Sequence, residues 1–340
     1  MDIDDDDMLL LALILDDDDD EQKESSNKPA GPGRGNALAG RRNPYILYSK
    51  SNVYPRLSAK QHLLRSYTIF KPADFEKLCD ELFSEWVKPR NGSCCYRSRK
   101  HDIYSSLIGT FSIIRGGLTL HQAEAMCGID KSLIYIDLYR NCRIMNQVLD
   151  KEMCWPSHEE QLLLLGMNDT FDSCIIIDCM DCKLKTRSQW LRYLYVSWKT
   201  GVGYRNMLAV DLRGQIRACL SIPAGFNNDQ WVLTVCNFFR KGSLVDGTTC
   251  MGDGAFTGNE DFRVDKPWTR AQVRSNPALQ RYNDALAQKR NIVERVNGIV
   301  KMQWTILREA FPFEPCFFPM VFRVCCLLTN RYFRLYGYPQ

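Results

Sequence analysis

Apolar residues recur at helical spacing in the first half of the chain. In the stretch FEKLCDELFSEWV they stand three and four positions apart, which places them on one face of a helix. These residues are Phe75, Leu78, Leu82, Phe83 and Trp86. A second helical pattern covers residues 103–114. We therefore predict an all-α region over residues 44–165.

Within this region, residues 118–140 hold two short amphipathic stretches on either side of Gly128. A helix, a tight turn with glycine and a second helix are typical of a helix-turn-helix, in which Ile129 and Ile134 would face the core. A plain helical hairpin has the same pattern, so packing without DNA contact remains the alternative. The residues predicted to point outward and to contact DNA are Lys131, Ser132 and Tyr135.

From about Ser173 the pattern changes to one typical of an α/β domain. The β-branched run CIIID, residues 174–178, predicts a buried strand, and residues 204–222 alternate around a turn at Arg213 and Gly214, which predicts a hairpin. A helix, a strand and a long helix are predicted over residues 228–240, 248–256 and 287–310. This order predicts a ribonuclease H-like fold over residues 166–335, a mixed sheet with helices on both faces.

Charge is distributed unevenly along the chain. Residues 1–24 contain twelve acidic residues and one lysine, so 43 basic and 28 acidic residues remain in the rest of the chain. A Gly-, Pro- and Ser-rich stretch follows the acidic runs, and such a composition buries too little apolar surface to offset chain entropy. We predict a disordered tail over residues 1–43. The basic remainder suits a partner of dense negative charge such as nucleic acid.

Cysteine usage and hydropathy indicate the compartment. The fifteen cysteines are scattered, and many lie in apolar runs where a free thiol acts as a small buried hydrophobe. The run MLLLALIL, residues 8–15, is too short to span a bilayer, and its flanking Asp residues do not fit a secretory signal. The sequence therefore predicts a globular protein of a reducing, intracellular compartment, with no membrane partner.

Three carboxylates are predicted to form one site. Asp178 follows the isoleucine run of the first strand, and Asp253 follows a later strand between two glycines, so both are expected at strand ends. Glu294 lies in the late helix, where an ion pair with Arg290 is the alternative. An oxygen-rich site of this kind suits Mg²⁺ or Mn²⁺, and two such ions can activate a nucleophile for in-line attack on a phosphodiester. We predict that all three carboxylates are catalytic.

Basic residues around this site are candidate DNA contacts. Four of them interleave with Trp and Tyr after the first strand, namely Lys183, Lys185, Arg187 and Lys199. Arg290 and Lys301 flank Glu294 and could meet the scissile strand. The alternative for both groups is an exposed, solvated surface. A basic stretch, DKPWTRAQVRSNP, lies between Phe256 and Lys289, and its role is open at this stage.

Four ordered blocks carry a family resemblance. The stretches IIIDCMDCKL, PAGFNNDQWVL, MGDGAF and RNIVERVNGIVKMQW resemble the motifs of Harbinger-type DDE transposases, over about residues 75–335. The resemblance implies metal-binding carboxylates at Asp178, Asp229, Asp253 and Glu294. For Asp229 a helix N-cap is the alternative, because Asp caps the amides of a first turn for structural reasons alone.

The resemblance also implies a biological setting. It implies a nuclear enzyme that excises and reinserts a mobile element with the help of a Myb-like DNA-binding protein, and a mechanism that pairs two DNA ends predicts a homo-oligomer. Two positions depart from the family pattern, with Asp181 where relatives carry His or Glu and Thr329 where they carry His. The rival hypothesis is a domesticated, catalytically silent DNA-binding or adaptor protein of the same fold.

Overall fold

The computed structural model describes most of the chain after its N-terminal tail. The described residues are 53–87, 102–185, 195–197, 201–225, 228–235, 242–258 and 263–338. The predicted disordered tail lies outside them, as do Arg187 and Lys199.

Helices fill the first half of the described chain, as the apolar spacing predicts. Their bounds are α1 Val53–Ser58, α2 Gln61–Thr68, α3 Pro72–Trp86, α4 Ile103–Ile114, α5 Leu120–Cys127, α6 Lys131–Val148 and α7 His158–Leu165. Helix α3 buries four of the five apolar residues that predict it, and Phe83 is partly buried.

Local capping explains the two helices predicted around Gly128. Thr119 and Gln122 form a capping box at the start of α5, and Gly128 ends that helix in the left-handed conformation, with φ 66°. The Asp130 side chain accepts a hydrogen bond from the Ser132 amide and caps α6. Ile129 and Ile134 are buried, as expected of residues that join these helices to the core.

The second half of the chain contains the mixed sheet. Its strands are β1 Ser173–Lys183, β2 Val196–Ser197, β3 Gly201–Asp211, β4 Ile216–Pro223, β5 Thr249–Met251 and β6 Arg263–Asp265. The main order is β4, β3, β1, β5, β6, and the short β2 pairs with the start of β3. The first three strands of this order are antiparallel, whereas β1, β5 and β6 are parallel. This is the topology of a ribonuclease H-like fold, as predicted.

The remaining helices follow the strands. They are α8 Asp229–Val235, α9 Arg270–Ser275, α10 Leu279–Gln303, α11 Thr305–Arg308 and α12 Phe318–Tyr336. Helix α10 begins eight residues before the predicted start at 287. The added segment places Leu279, Tyr282 and Leu286 three and four positions apart, which is the apolar spacing of a helix, so the predicted start was too late. The helix ends before Trp304, seven residues short of the predicted end.

The hairpin turn between β3 and β4 depends on Gly214. Its φ is +83°, and a Cβ placed there would lie 2.6 Å from the Tyr338 ring, so a side chain would be both strained and obstructed. The Asp211 carboxylate accepts hydrogen bonds from the amides of Arg213 and Gln215 and fixes the turn.

The two faces of the sheet bury different apolar clusters. On one face Ile176 joins Val293 and Val296 of α10, in a cluster that extends into the helical region. On the other face Ile175 and Ile177 pack with Val232 of α8. Alternation along β1 therefore decides which helix each side chain meets. In the described part of the chain, no helix is long and apolar enough to cross a membrane.

Candidate active site

Asp178 lies inside β1 and not at its end, so the prediction of a strand end is wrong. The strand continues to Lys183 because β3 is equally long and pairs with it throughout, with Asp178 opposite Leu208. The parallel partner β5 ends earlier, at the pair Ile176 and Met251. Asp178 is therefore open on the β5 side of its strand, which is the feature that a strand end was expected to provide.

Helix α10 meets Asp178 through an amide. Asn297 Nδ2 donates a hydrogen bond of 2.9 Å to Asp178 Oδ2. The Asn297 side chain is buried, and its Oδ1 atom has no hydrogen-bond partner in the part of the chain that the structure describes. An unsatisfied buried acceptor is costly, so this oxygen is available to a ligand or a bound water.

The three predicted catalytic carboxylates share one electrostatic environment. The pKa of Asp178 is raised to about 6, chiefly by burial. The negative charges of Asp253 and Glu294 also raise it, whereas Arg290 lowers it. The ionised form of Asp178 is therefore disfavoured mainly by its burial, and the two neighbouring carboxylates add to this effect. Asp253 lies in the loop after β5, where its carboxylate also accepts a hydrogen bond of 2.8 Å from the Ala255 amide.

Glu294 forms an ion pair with Arg290, which the sequence offered as the alternative to a catalytic role. Arg290 Nη2 lies 3.3 Å from Glu294 Oε1, and the Glu294 side chain is 51% exposed. An exposed pair of this kind contributes little to stability, so it leaves Glu294 free to exchange partners. Lys301, two turns further along α10, donates a hydrogen bond of 2.7 Å to the backbone oxygen of Asp181.

A buried arginine joins two further carboxylates, and the sequence reasoning missed it. Arg205 of β3 lies 3.0 Å from Asp181 and 3.1 Å from Asp229, and its side chain is only 3% exposed. The cap of α8 is Asn228, whose side chain accepts a hydrogen bond from the Trp231 amide. Asp229 is therefore not the N-cap that was its alternative role, and it faces the site instead.

These side chains line one cleft. Its volume is about 310 Å³, and its lining includes Asp178, Asp181, Asp229, Glu294, Asn297 and Lys301. Asp253 is not part of the lining, although its charge acts on Asp178 and on the partly buried Cys179. The structure thus brings three of the four predicted metal ligands to one cleft and the fourth to its neighbourhood.

The donors fit a hard divalent cation. The carboxylate oxygens of the cleft and the Asn297 Oδ1 atom are the oxygen ligands that Mg²⁺ and Mn²⁺ prefer. Among the described residues no three His, Cys, Asp or Glu side chains lie close enough to hold one ion together. Asp229 and Glu294 are turned toward Arg205 and Arg290, so binding by three carboxylates requires these side chains to move.

The predicted DNA contacts fall into different environments. Lys131 and Ser132 are exposed at the start of α6, and Lys183 and Lys185 are exposed where β1 ends. Tyr135 is half-buried, because its ring packs with those of Tyr139 and Phe313, so only part of it points outward.

Both departures from the family pattern have a structural partner. Asp181 binds Arg205, as described above. Thr329 is buried in α12, where its hydroxyl accepts a hydrogen bond of 2.9 Å from the Trp304 indole. The next residue, Asn330, hydrogen-bonds both the amide and the carbonyl of Ile216 and so joins α12 to β4. Thr329 thus holds α12 against the end of α10, and Asn330 holds it against the sheet.

A ribonuclease H-like sheet with carboxylates beside its central strand defines the class of this domain. Residues 177–330, a little under half of the chain, match the family model described as DDE superfamily endonuclease, and the match includes all four predicted metal ligands. No curated protein and no solved structure matches the chain. The family match supports a DDE transposase-family protein and implies DNA as the substrate.

Proposed function

We propose that this protein is a metal-dependent DNA transposase or endonuclease that cuts phosphodiester bonds and joins 3′-hydroxyl ends. The observation that supports the proposal best is the environment of Asp178 on the central strand, where burial raises its pKa and the negative charges of Asp253 and Glu294 raise it as well. A carboxyl group with a perturbed pKa that lies in a cleft near other carboxylates is typical of a functional site. The family match supplies the substrate class.

The residues in and next to the cleft would have different roles in catalysis. Asp178, Asp253, Glu294 and Asp229 would hold Mg²⁺ or Mn²⁺, and such ions supply Lewis acidity for the attacking and leaving oxygens. Asn297 keeps the Asp178 carboxylate oriented through its 2.9 Å hydrogen bond. Arg205 fixes Asp229 at the cleft, so it is a positioning residue. Lys301 lines the cleft and brings positive charge for a phosphate.

The finer assignments are also proposals. The four sequence blocks support a Harbinger-type enzyme, which would act in the nucleus on transposon ends and a target site. Such an enzyme would work as a homo-oligomer with a Myb-like partner protein. The exposed Lys131 and Ser132 at the start of α6 are available for DNA contact as a helix-turn-helix requires.

A nicking and strand-transfer assay tests the proposal. Supercoiled plasmid is incubated with the full chain in Mg²⁺ or Mn²⁺, and wild type is compared with Glu294→Gln and with the control Glu309→Gln, which changes an exposed glutamate outside the cleft. We expect nicked and linear plasmid from wild type and control but not from Glu294→Gln.

The alternative function is a domesticated protein that binds DNA without cutting it. The ion pairs of Glu294 and Asp229 with arginines favour it, because these carboxylates are already neutralised within the chain. A folded wild type that binds DNA and leaves the plasmid intact in both metals, with a Myb-like partner present, would establish this alternative.

A further inference from the structure

A basic, exposed segment projects from the far edge of the sheet. We define the basic arm as residues 263–281, which contain five basic residues and one acidic residue. All five basic residues are exposed: Arg263, Lys266, Arg270, Arg274 and Arg281. The indole of Trp268 is 42% exposed in their midst. None of these five cations forms an ion pair within the described residues, and such unpaired charge suits an external polyanion.

The single acidic residue of the basic arm does not offset this charge on the outside. Asp265 accepts hydrogen bonds from the hydroxyl groups of Ser173 and Thr249, so its carboxylate is tied to the neighbouring strands. The pKa of the neighbouring Tyr282 phenol is raised to about 12, mainly by burial and also by its contact with Asp265. The exposed surface of the basic arm therefore carries positive charge alone.

The basic arm is fixed to α10 by reciprocal hydrogen bonds. The Trp268 amide donates a bond of 2.8 Å to Asn283 Oδ1, and Asn283 Nδ2 donates one of 3.0 Å to the Trp268 oxygen. Thr269 and Gln272 form a capping box that starts α9. A fixed arm loses less conformational entropy on binding than a loose one, so its charges are arranged for a ligand in advance.

The basic arm starts beside the candidate active site. The Gly252 amide donates a bond of 2.9 Å to the Asp265 oxygen, and a Cβ placed on Gly254 would lie 3.9 Å from Pro267. The arm thus borders the loop that carries Asp253.

Helix α10 sets the distance between the far end of the basic arm and Glu294. From Asn283 to Glu294, α10 rises by about 16 Å at ~1.5 Å per residue. This length corresponds to about five base pairs of DNA at ~3.4 Å each.

We propose that the basic arm binds the phosphate backbone of duplex DNA about five base pairs from the bond that is cut. The inference rests on the proposed function, because it takes the cut bond to lie at Asp178 and Glu294. The cations of the arm would hold the flanking duplex in register with the cleft, and Trp268 would lie against the sugar-phosphate edge. Phosphate contacts fix position without reading sequence, which matches a surface of arginines and one lysine.

Salt dependence of DNA binding tests the proposal. The affinity for a fluorescein-labelled duplex of about three helical turns is measured by fluorescence anisotropy over a series of KCl concentrations. The test variant is Arg270→Gln/Arg274→Gln/Arg281→Gln. The matched control neutralises three exposed cations of the first helices, Arg56→Gln/Lys60→Gln/Lys77→Gln. A third variant, with Lys in place of the three arm arginines, keeps the charge and guards against effects of misfolding.

Three bound phosphates predict a definite change. The slope of log affinity against log salt is about −0.9 for each phosphate neutralised, so the Gln variant should lose about 2 to 3 units of slope. The control and Lys variants should keep the wild-type slope. An unchanged slope in a folded Gln variant, or an equal loss in the control, would overturn the proposal. Plasmid nicking by wild type is scored separately, so a failure of the endonuclease proposal remains distinguishable.

Discussion

Asp178 and Asp253 each lie two residues beyond Ile176 and Met251, the last pair of the parallel strands β1 and β5. Asp178 is still within β1, whereas Asp253 lies in the loop after β5. The shorter strand ends before Asp253, and this leaves Asp178 open on the same side. Side chains two positions apart on a strand point to the same face, so Asp178 follows Ile176 toward α10. The end of β5 thus leaves Asp178 open on the side where the negative charge of Asp253 acts on it.

Replacing Asp178 with Asn should stabilise the fold while abolishing cleavage. The raised pKa means that ionised Asp178 destabilises the folded state. Wild type therefore loses stability as pH rises from below 4 through about 6, by at most ~3 kcal/mol for a shift of about two pH units. Asp178→Asn is spared this loss, and Asn can still accept the hydrogen bond from Asn297.

Urea unfolding without divalent metal, at pH 4 and at pH 8, measures this difference. We expect the variant to exceed wild type at pH 8 and to match it at pH 4. The control is Asp284→Asn, on the exposed part of α10, which should follow wild type at both values. Equal stability of Asp178→Asn and wild type at pH 8 would show that the carboxylate is not destabilised by its surroundings.

Replacing Arg290 with Gln should move the titration of Asp178 upward. Arg290 lowers the pKa of Asp178, whereas Glu294 and Asp253 raise it, so loss of the guanidinium leaves the negative charges unopposed. The decline in wild-type stability ends near pH 6, and in Arg290→Gln it should continue to a higher pH. Arg295→Gln removes an exposed cation on the same helix and serves as the control. A decline that ends at the same pH as in wild type would mean that Arg290 does not act on this carboxylate.

Replacing Arg205 with Met should destabilise the fold strongly. The substitution leaves Asp181 and Asp229 without their shared cation, and an uncompensated buried charge costs about 3 to 5 kcal/mol. Arg308→Met, which breaks an exposed pair with Glu309, should cost less than about 1 kcal/mol. The free energy of unfolding in urea measures both. Similar costs for the two variants would contradict the view that Arg205 is a central residue of the site.

Two neighbouring substitutions separate capping from function at the start of α8. Asn228→Ala removes the cap that binds the Trp231 amide, so it should cost about 1 kcal/mol and leave plasmid nicking intact. Asp229→Ala removes a carboxylate of the cleft and should abolish nicking. The two variants are compared in the same nicking assay after their stabilities have been measured. Nicking by Asp229→Ala at the wild-type rate would exclude Asp229 as a ligand.

Much of the fold follows from local pattern. Three features depend on residues that are neighbours in sequence, so the sequence predicts them. They are the hairpin turn at Gly214, the capping of α5 and α6, and the strand that contains Ile175. The length of β1 is not predicted in this way, because it depends on pairing with β3, and no residue near Asp178 signals that the strand continues.

The site was predictable in its carboxylates but not in its cations. Asp178 could be singled out because a carboxylate directly after three isoleucines is costly to bury unless it has binding partners. Arg205 stands in the strand sequence YRNM, where alternation alone assigns it no role, and its two partners come from β1 and α8. The only available signal was a charged residue inside an otherwise buried strand. Such a residue predicts a buried ion pair but does not name its partners.

Binding of Mn²⁺ to the folded protein, followed by electron paramagnetic resonance, tests the central claim most directly. Wild type is compared with Asp178→Asn, Asp253→Asn and Glu294→Gln, and with the control Asp284→Asn. If the three carboxylates form one metal site, each of the first three variants should weaken binding roughly tenfold or more, about 1.4 kcal/mol, while the control binds as wild type does. Unchanged Mn²⁺ affinity in Asp178→Asn and Glu294→Gln would contradict the account.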